Sequence, residues 1–263
     1  MFEPPKLRSP GLFVTGTDTE VGKSVISCAL ASALRRQTTT RVGVCKPLAS
    51  GCRRDREGLV SPDAEALAHF ADCRQPLDVI NPIRFAAPLA PAVAAEQAGP
   101  PIDWPALPRA LERLDAAHGS LLVEGVGGLL VPLDPAEPRF TTLELIALLG
   151  YPVVVVARSV LGTLNHTAMT VGLLRQRGCR VAGVVMNGYD ADGSADDPSI
   201  TSNRVWIERM TRVPVLAVVP KVKAGQAQPH RGLIDGAILD AVSRVDWPGI
   251  LDRPQPVGRE VRR

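Results

Sequence analysis

The stretch 15-TGTDTEVGKS-24 decides how this chain is read. It ends in Gly22-Lys23-Ser24, the close of a loop that wraps nucleotide phosphates. The P-loop pattern G-x-x-x-x-G-K-[ST] places its first glycine at position 17. Thr17 stands there, and the glycine, Gly16, comes one residue early. Asp18 and Glu20 lie where phosphate oxygens would come. A bare Gly-Lys-Ser also arises by chance in an ordinary strand-to-helix turn, so the flanks decide. Residues 11–15 (GLFVT) form an apolar strand candidate. Residues 23–36 predict a helix, with Val25, Ile26, Ala29, Leu30, Ala33 and Leu34 at helical spacing. Strand, loop and helix in that order are the context a phosphate site requires. Backbone N–H groups and the helix dipole attract phosphate. Lys23 adds a cation, and the Ser24 hydroxyl suits Mg²⁺, a hard cation that takes oxygen ligands.

The same alternation runs on. Strands are expected at 42–45, 120–124, 153–157, 181–187 and 214–219. Helices are expected near 63–70, 104–117, 141–149, 163–176 and 202–210. Several strands are apolar throughout, which suits a mostly parallel sheet covered by helices on both faces. The predicted fold class is therefore α/β, a single P-loop NTPase-type domain. Two stretches break the pattern. Residues 81–108 are rich in proline and alanine, a length usually functional or lid-like inside a compact domain. Residues 190–199 (DADGSADDPS) open like a calcium loop, but the twelfth position is Thr201 rather than Glu, so they read as a solvated acidic loop. One helix is expected over 233–245, followed by a proline-rich tail.

Two further segments carry chemistry. In 121-LLVEGVGG-128 an apolar strand ends in Glu124, the Walker B arrangement, which places a carboxylate beside the phosphate loop for Mg²⁺. The glycines after it let backbone N–H groups approach an anion. In 46-KPLASG-51, Lys46 is delivered to the same sheet edge, where a cation stabilises phosphoryl charge. Asp63, at a helix start, is either an N-cap or a second Mg²⁺ carboxylate.

The totals exclude other classes. A net charge of +3, with no basic stripe or interleaved aromatics, gives no case for nucleic acid. The arginines at 259, 262 and 263 read as a frayed tail. Five cysteines without a C-x-x-C pair read as reduced, mostly buried thiols. The N-terminus lacks a signal-peptide apolar region, and the apolar run 152–157 is too short to span a bilayer. The expectation is a cytoplasmic protein with no membrane partner.

Together these segments resemble the dethiobiotin synthetase family. GTDTEVGKS is similar to its phosphate loop, early glycine included. KPLASG resembles its K-P-x-x-S-G motif, VEGVGG its E-G-x-G-G, 81-NPIRFAAPLAPAVAA-95 its N-P-x-x-F segment, and 161-LGTLNH-166 its L-G-x-x-N-H loop. The likeness runs from about residue 12 to 220. It implies ATP and Mg²⁺ as cofactors, and 7,8-diaminopelargonate and CO₂ as substrates. One amine takes up CO₂, ATP phosphorylates the carbamate, and the second amine closes the ureido ring with release of ADP and phosphate. Glu20, Val21, Gly22, Lys23 and Ser24 would hold the nucleotide, while Asn187 and the backbone around Pro220 would read adenine. Ser24, Asp63 and Glu124 would hold the metal, which favours the metal role for Asp63. Thr19, Lys46 and Ser50 would face the amines and carbamate, with Thr19, Lys23 and Lys46 as the catalytic set, and Gly127 would offer N–H groups. Gly162, Thr163, Leu164 and Asn165 would bind the substrate carboxylate. In the family that loop comes from a partner subunit, so a homodimer with shared sites is implied; His166 reads as structural. The implied organisation is a flexible 1–10, a ligase domain over 11–221, and a helix and tail over 222–263.

Rival readings are a ParA/MinD-type partitioning ATPase, an amidating P-loop enzyme of the cobyrinate type, and a nucleotide-binding regulator without catalysis. The first carries an early loop lysine that TDTEV at 17–21 lacks. The second needs a glutaminase domain that this chain does not include. Against the third stand Lys46 and Glu124 together.

Overall fold

A computed structural model describes residues 3–56, 58–195 and 197–257. In chain order the elements are β1 (Gly11–Gly16), α1 (Lys23–Gln37), β2 (Val42–Cys45), β3 (Leu48–Ala49), β4 (Arg53–Asp55), β5 (Gly58–Val60), α2 (Pro62–Ala71), α3 (Leu77–Ile80), β6 (Ile83–Arg84), α4 (Pro91–Ala98) and α5 (Ala106–Ala117). They continue with β7 (Ser120–Glu124), α6 (Thr142–Leu149), β8 (Val153–Arg158), α7 (Thr163–Gln176), β9 (Val181–Tyr189), α8 (Ser199–Thr211), β10 (Val215–Pro220), β11 (Ala227–Gln228), β12 (Leu233–Ile234) and α9 (Gly236–Ser243).

Six strands form one sheet in the order β10-β9-β8-β1-β7-β2, and every pairing in it is parallel. β1, β2 and β7 are buried along their whole length, which is why their sequences are apolar without alternation. Helices flank the sheet: α1 packs against α2 and α9, and α7 against α8. β1 lies between β7 and β8, so the loop after it opens where neighbouring crossovers diverge, the usual place for a ligand in such sheets.

The Pro/Ala-rich stretch holds its own short elements. Pro91 opens α4, where its missing N–H costs nothing. At the C-terminus, the helix expected over 233–245 begins only at Gly236, because Asp235 accepts the Ala237 N–H and caps it; Leu233 and Ile234 pair with β11 instead. Beyond α9, Trp247 is fully buried. The chain then runs along the N-terminal edge of the sheet. Gly11 donates to the Asp252 carbonyl at 2.9 Å, Gln255 to Gly150 at 2.8 Å and Val257 to Ala147 at 2.8 Å. The tail is therefore docked through residue 257, while Arg259, Arg262 and Arg263 lie outside the described residues. The N-terminal segment expected to be flexible is tied down at its end, where the Arg8 and Ser9 N–H groups donate to Asp115. All five cysteines are buried and free. Among the described residues no helix is long and apolar enough to cross a membrane.

Candidate active site

The early glycine has a steric cause. A Cβ on Gly16 would lie 2.7 Å from Val21 Cγ2, 2.9 Å from the Asp18 carbonyl and 3.1 Å from the Lys23 stem. The loop curls back over its own root, so the residue at the root has no room for a side chain. Glu20 adopts the left-handed region at φ 55, and the Asp18 carboxylate accepts the Thr19 N–H at 2.7 Å. Asp18 thus shapes the arch. Lys23 Nζ donates to the Asp18 carbonyl at 3.0 Å and closes it from below. Burial pushes the Lys23 pKa down, with Lys46 adding to the shift and Glu124 and Asp63 opposing it.

Beside the arch lies a cluster of charges. β7 delivers Glu124, which is fully buried, and β2 delivers Lys46, which is 4% exposed. Lys46 Nζ donates to Glu124 Oε1 at 2.6 Å and to Asp63 Oδ2 at 2.8 Å. The Ser24 hydroxyl donates to Glu124 Oε1 at 2.9 Å. Burial alone would lower the Lys46 pKa, but Glu124 and Asp63 outweigh it and hold it above the usual lysine value of 10.5. The lysine's part of this stabilisation is therefore full below pH 10.5 and is lost as pH rises through the raised value. Asp63 behaves conversely: burial would raise its pKa, and Lys46, Ser24 and Lys23 together hold it low.

The two readings of Asp63 separate here. The N-cap of α2 is Ser61, whose side chain accepts the Ala64 N–H. Asp63 sits in the first turn with its carboxylate on Lys46. Glu124 Oε2 is buried with no hydrogen-bond partner. An orphaned carboxylate oxygen beside a hydroxyl and a second carboxylate is a donor set that fits a hard cation such as Mg²⁺. Among the described residues no group of three or more His, Cys, Asp or Glu side chains gathers as a metal cage.

On the other side of the loop, Asn187 at the end of β9 donates Nδ2 to the Val21 carbonyl at 3.0 Å. Gly22 is at φ 89, and a Cβ there would come within 2.1 Å of Asn187 Nδ2. Gly22→Ala is therefore expected to break the Asn187 contact and lower nucleotide affinity at least roughly tenfold, through left-handed strain as well as the collision. Nucleotide titration checks this, and an unchanged Kd would count against the placement of Asn187. Pro220, at the end of β10, pairs with Tyr189 just beyond Asn187.

The structure gathers Lys23, Ser24, Lys46, Asp63 and Glu124, with Thr19, Glu20 and Val21 on the arch above. The 127–128 turn also reaches it: a Cβ on Gly128 would touch the Thr17 carbonyl and Asp18 Cα. Ser50 is half-buried in the turn after β3. Gly162, Thr163, Leu164 and Asn165 lie across β1 and β7 from the strand that carries Lys46. They follow β8, and three strand spacings separate β8 from β2, about 14 Å. Two residues of the site went unread in the sequence. Asn81, 1% exposed, donates to the Lys46 carbonyl at 2.6 Å and to Ile83 at 3.2 Å, clamping the chain that carries Lys46. Arg158 closes β8 and donates to the Thr19 carbonyl at 3.4 Å. The Asn-Pro motif held a signal for the first; nothing in the pattern marked the second.

A family model described as an AAA domain matches residues 10–228. An ATP-dependent dethiobiotin synthetase of Anaeromyxobacter sp. (strain K) is 48% identical over 210 residues, covering 80% of this chain and 89% of its own. Its counterpart in Bacillus subtilis (strain 168) is 38% identical over 212 residues, covering 81% and 87%. Among solved structures, the MinD cell division protein of Aquifex aeolicus gives a TM-score of 0.51 at 14% identity, covering 90% of this chain and 96% of that one. A ParA family ATPase from Chlorobium tepidum gives 0.50 at 15% identity, covering 91% and 98%. At these identities the two structures speak for the fold alone.

Proposed function

The chain belongs to the dethiobiotin synthetase family, and on that footing we propose that this site makes dethiobiotin from 7,8-diaminopelargonate, CO₂ and ATP. The reaction type, an ATP-dependent ligation in biotin synthesis, is that of the family. The observation that carries the finer reading is the buried Lys46–Glu124–Asp63 cluster joined to Ser24 at the root of the phosphate loop.

The proposed roles are those the family resemblance implies, and the geometry of the cluster supports those of Lys46, Glu124, Asp63 and Ser24. Gly22, Lys23 and Ser24 bind the nucleotide phosphates, and Asn187 with the backbone around Pro220 holds the base. Glu124, Asp63 and Ser24 would hold Mg²⁺, which when bound neutralises phosphate charge. Lys46, kept protonated by its carboxylates, offsets the charge that grows on the transferring group. Thr19, Ser50 and the 127–128 backbone face the acceptor. Catalysis of this kind is positioning and charge neutralisation more than covalent chemistry by the protein. The Gly162–Asn165 loop binds the acceptor carboxylate at the start of α7. Its distance from Lys46 within one chain supports a homodimer in which a second copy supplies the loop.

With diaminopelargonate, bicarbonate, Mg²⁺ and ATP, the expected result is acceptor-dependent phosphate release with dethiobiotin as product. Phosphate release indifferent to the diamine would overturn the reading.

A further inference from the structure

The turn that leads from β8 into α7 is gripped from its far side. The Ser159 N–H donates to the Asn187 carbonyl at 3.0 Å. The Leu161 N–H donates to Asp197 Oδ2 at 3.0 Å. Asn203, 1% exposed, donates Nδ2 to the Val160 carbonyl at 3.4 Å and to the Ser199 hydroxyl oxygen at 3.4 Å. Asp197 is itself fixed at the start of α8. Its Oδ1 accepts the Ser199 N–H at 3.0 Å and the Ser199 hydroxyl at 2.6 Å. Residues 159, 160 and 161 are thus each tied to the segment that runs from β9 into α8. The acidic stretch expected to be a solvated loop contributes one of these ties.

What the ties hold is not a buried core. Leu161 is 80% exposed, and Gly162 turns through φ 92 with open space around it. An exposed glycine turn left alone samples many conformations. Here the Asp197 carboxylate and the Asn203 amide fix the direction from which α7 starts, and with it the aim of the Leu164 and Asn165 N–H groups, which lack partners inside the helix; the Thr163 N–H already donates to the Val160 carbonyl at 3.2 Å. The two Asp197 carboxylate oxygens accept from three donors, the Leu161 and Ser199 N–H groups and the Ser199 hydroxyl.

We propose that Asp197, with Asn203 behind it, is a positioning residue for the acceptor carboxylate: it holds the 160–163 turn so that the start of α7 receives that group. The proposal rests on the reading of Gly162–Asn165 as the carboxylate loop.

The test compares two acceptors, diaminopelargonate and a vicinal diamine of the same chain length without the carboxylate. Asp197→Ala is expected to raise the KM for diaminopelargonate roughly tenfold, the share of one hydrogen bond to a charged group. The KM for ATP and the kcat should stay within about twofold of the parent. The carboxylate-free diamine should show no such penalty. Asp197→Asn, which keeps one acceptor oxygen, should fall between parent and alanine, and Asn203→Ala should follow Asp197→Ala. Thermal melting of each variant separates these effects from unfolding. An equal penalty on both acceptors, or a KM for ATP that rises alongside, makes Asp197 merely structural and overturns the proposal. No penalty in Asp197→Ala, while Asn165→Ala and Gly162→Ala raise the diaminopelargonate KM, overturns the proposal and leaves the loop reading standing. If the loop variants are also silent, the carboxylate loop itself is misassigned and the proposal falls with it.

Discussion

Lys46→Ala is expected to cut acceptor-dependent phosphate release by on the order of 100- to 1000-fold, the loss seen when one preorganised donor to developing charge is removed. Nucleotide affinity should change by no more than a few-fold, because Lys23 and the loop backbone remain. The variant carries a second signature. Glu124 is fully buried and Lys46 is its close cation, so removing the lysine strands a buried charge at a cost of about 3–5 kcal/mol. Mg²⁺, held by Glu124, would supply compensating positive charge. The melting temperature of Lys46→Ala should therefore drop sharply without metal and recover in part with it, while turnover stays low in both conditions. Turnover within tenfold of the parent would remove Lys46 from the catalytic set.

Glu124→Gln should lower turnover by a similar factor for a different reason. The amide keeps the shape but loses the charge, so the Ser24 hydroxyl and Lys46 donate to a neutral amide oxygen instead of a carboxylate. Lys46 then leans on Asp63, whose side chain is 46% exposed. The unpartnered oxygen that suits a hard cation is gone as well. The Mg²⁺ concentration for half-maximal activity is expected to rise by at least on the order of tenfold. A magnesium titration of activity checks this directly, and an unchanged half-point would place the metal elsewhere. Stability should suffer less than in Lys46→Ala, because no isolated charge is left behind.

The parts of this site legible in the sequence are those where one local rule suffices. Apolar runs ending at Gly16, before Lys46 and at Glu124 gave β1, β2 and β7 to within a residue, since a strand buried on both faces leaves little room for another pattern. The cluster was legible as separate pieces on separate strands, and their meeting depends on β1 and β7 lying side by side with β2 next to β7, an adjacency that periodicity does not encode. Asp63 shows a readable signal passed over: Ser61 followed by Pro62 at the first helical position already marks Ser61 as the cap. Asn81 and Arg158 act on backbone carbonyls, of Lys46 and Thr19. A carbonyl is present at every residue, so nothing in the sequence marks which one is answered. The tail escaped for the same reason, because its docking is made largely of main-chain bonds.

That docking has a practical reach. Gly11 and Asp252 lie hydrogen-bonded side by side at the sheet edge away from the phosphate loop, so the two ends of the folded body nearly touch. Gly11 and Asp252 thus form a seam that a linker can seal, and the chain can be opened elsewhere. Sealing that seam with a short Gly/Ser linker and opening the chain at the exposed Asp55–Arg56 bond should give a circular permutant with the same sheet. A reporter domain carried at the old seam would ride on the face opposite the chemistry. One inserted near Gly162 would fall on the loop proposed to hold the acceptor carboxylate.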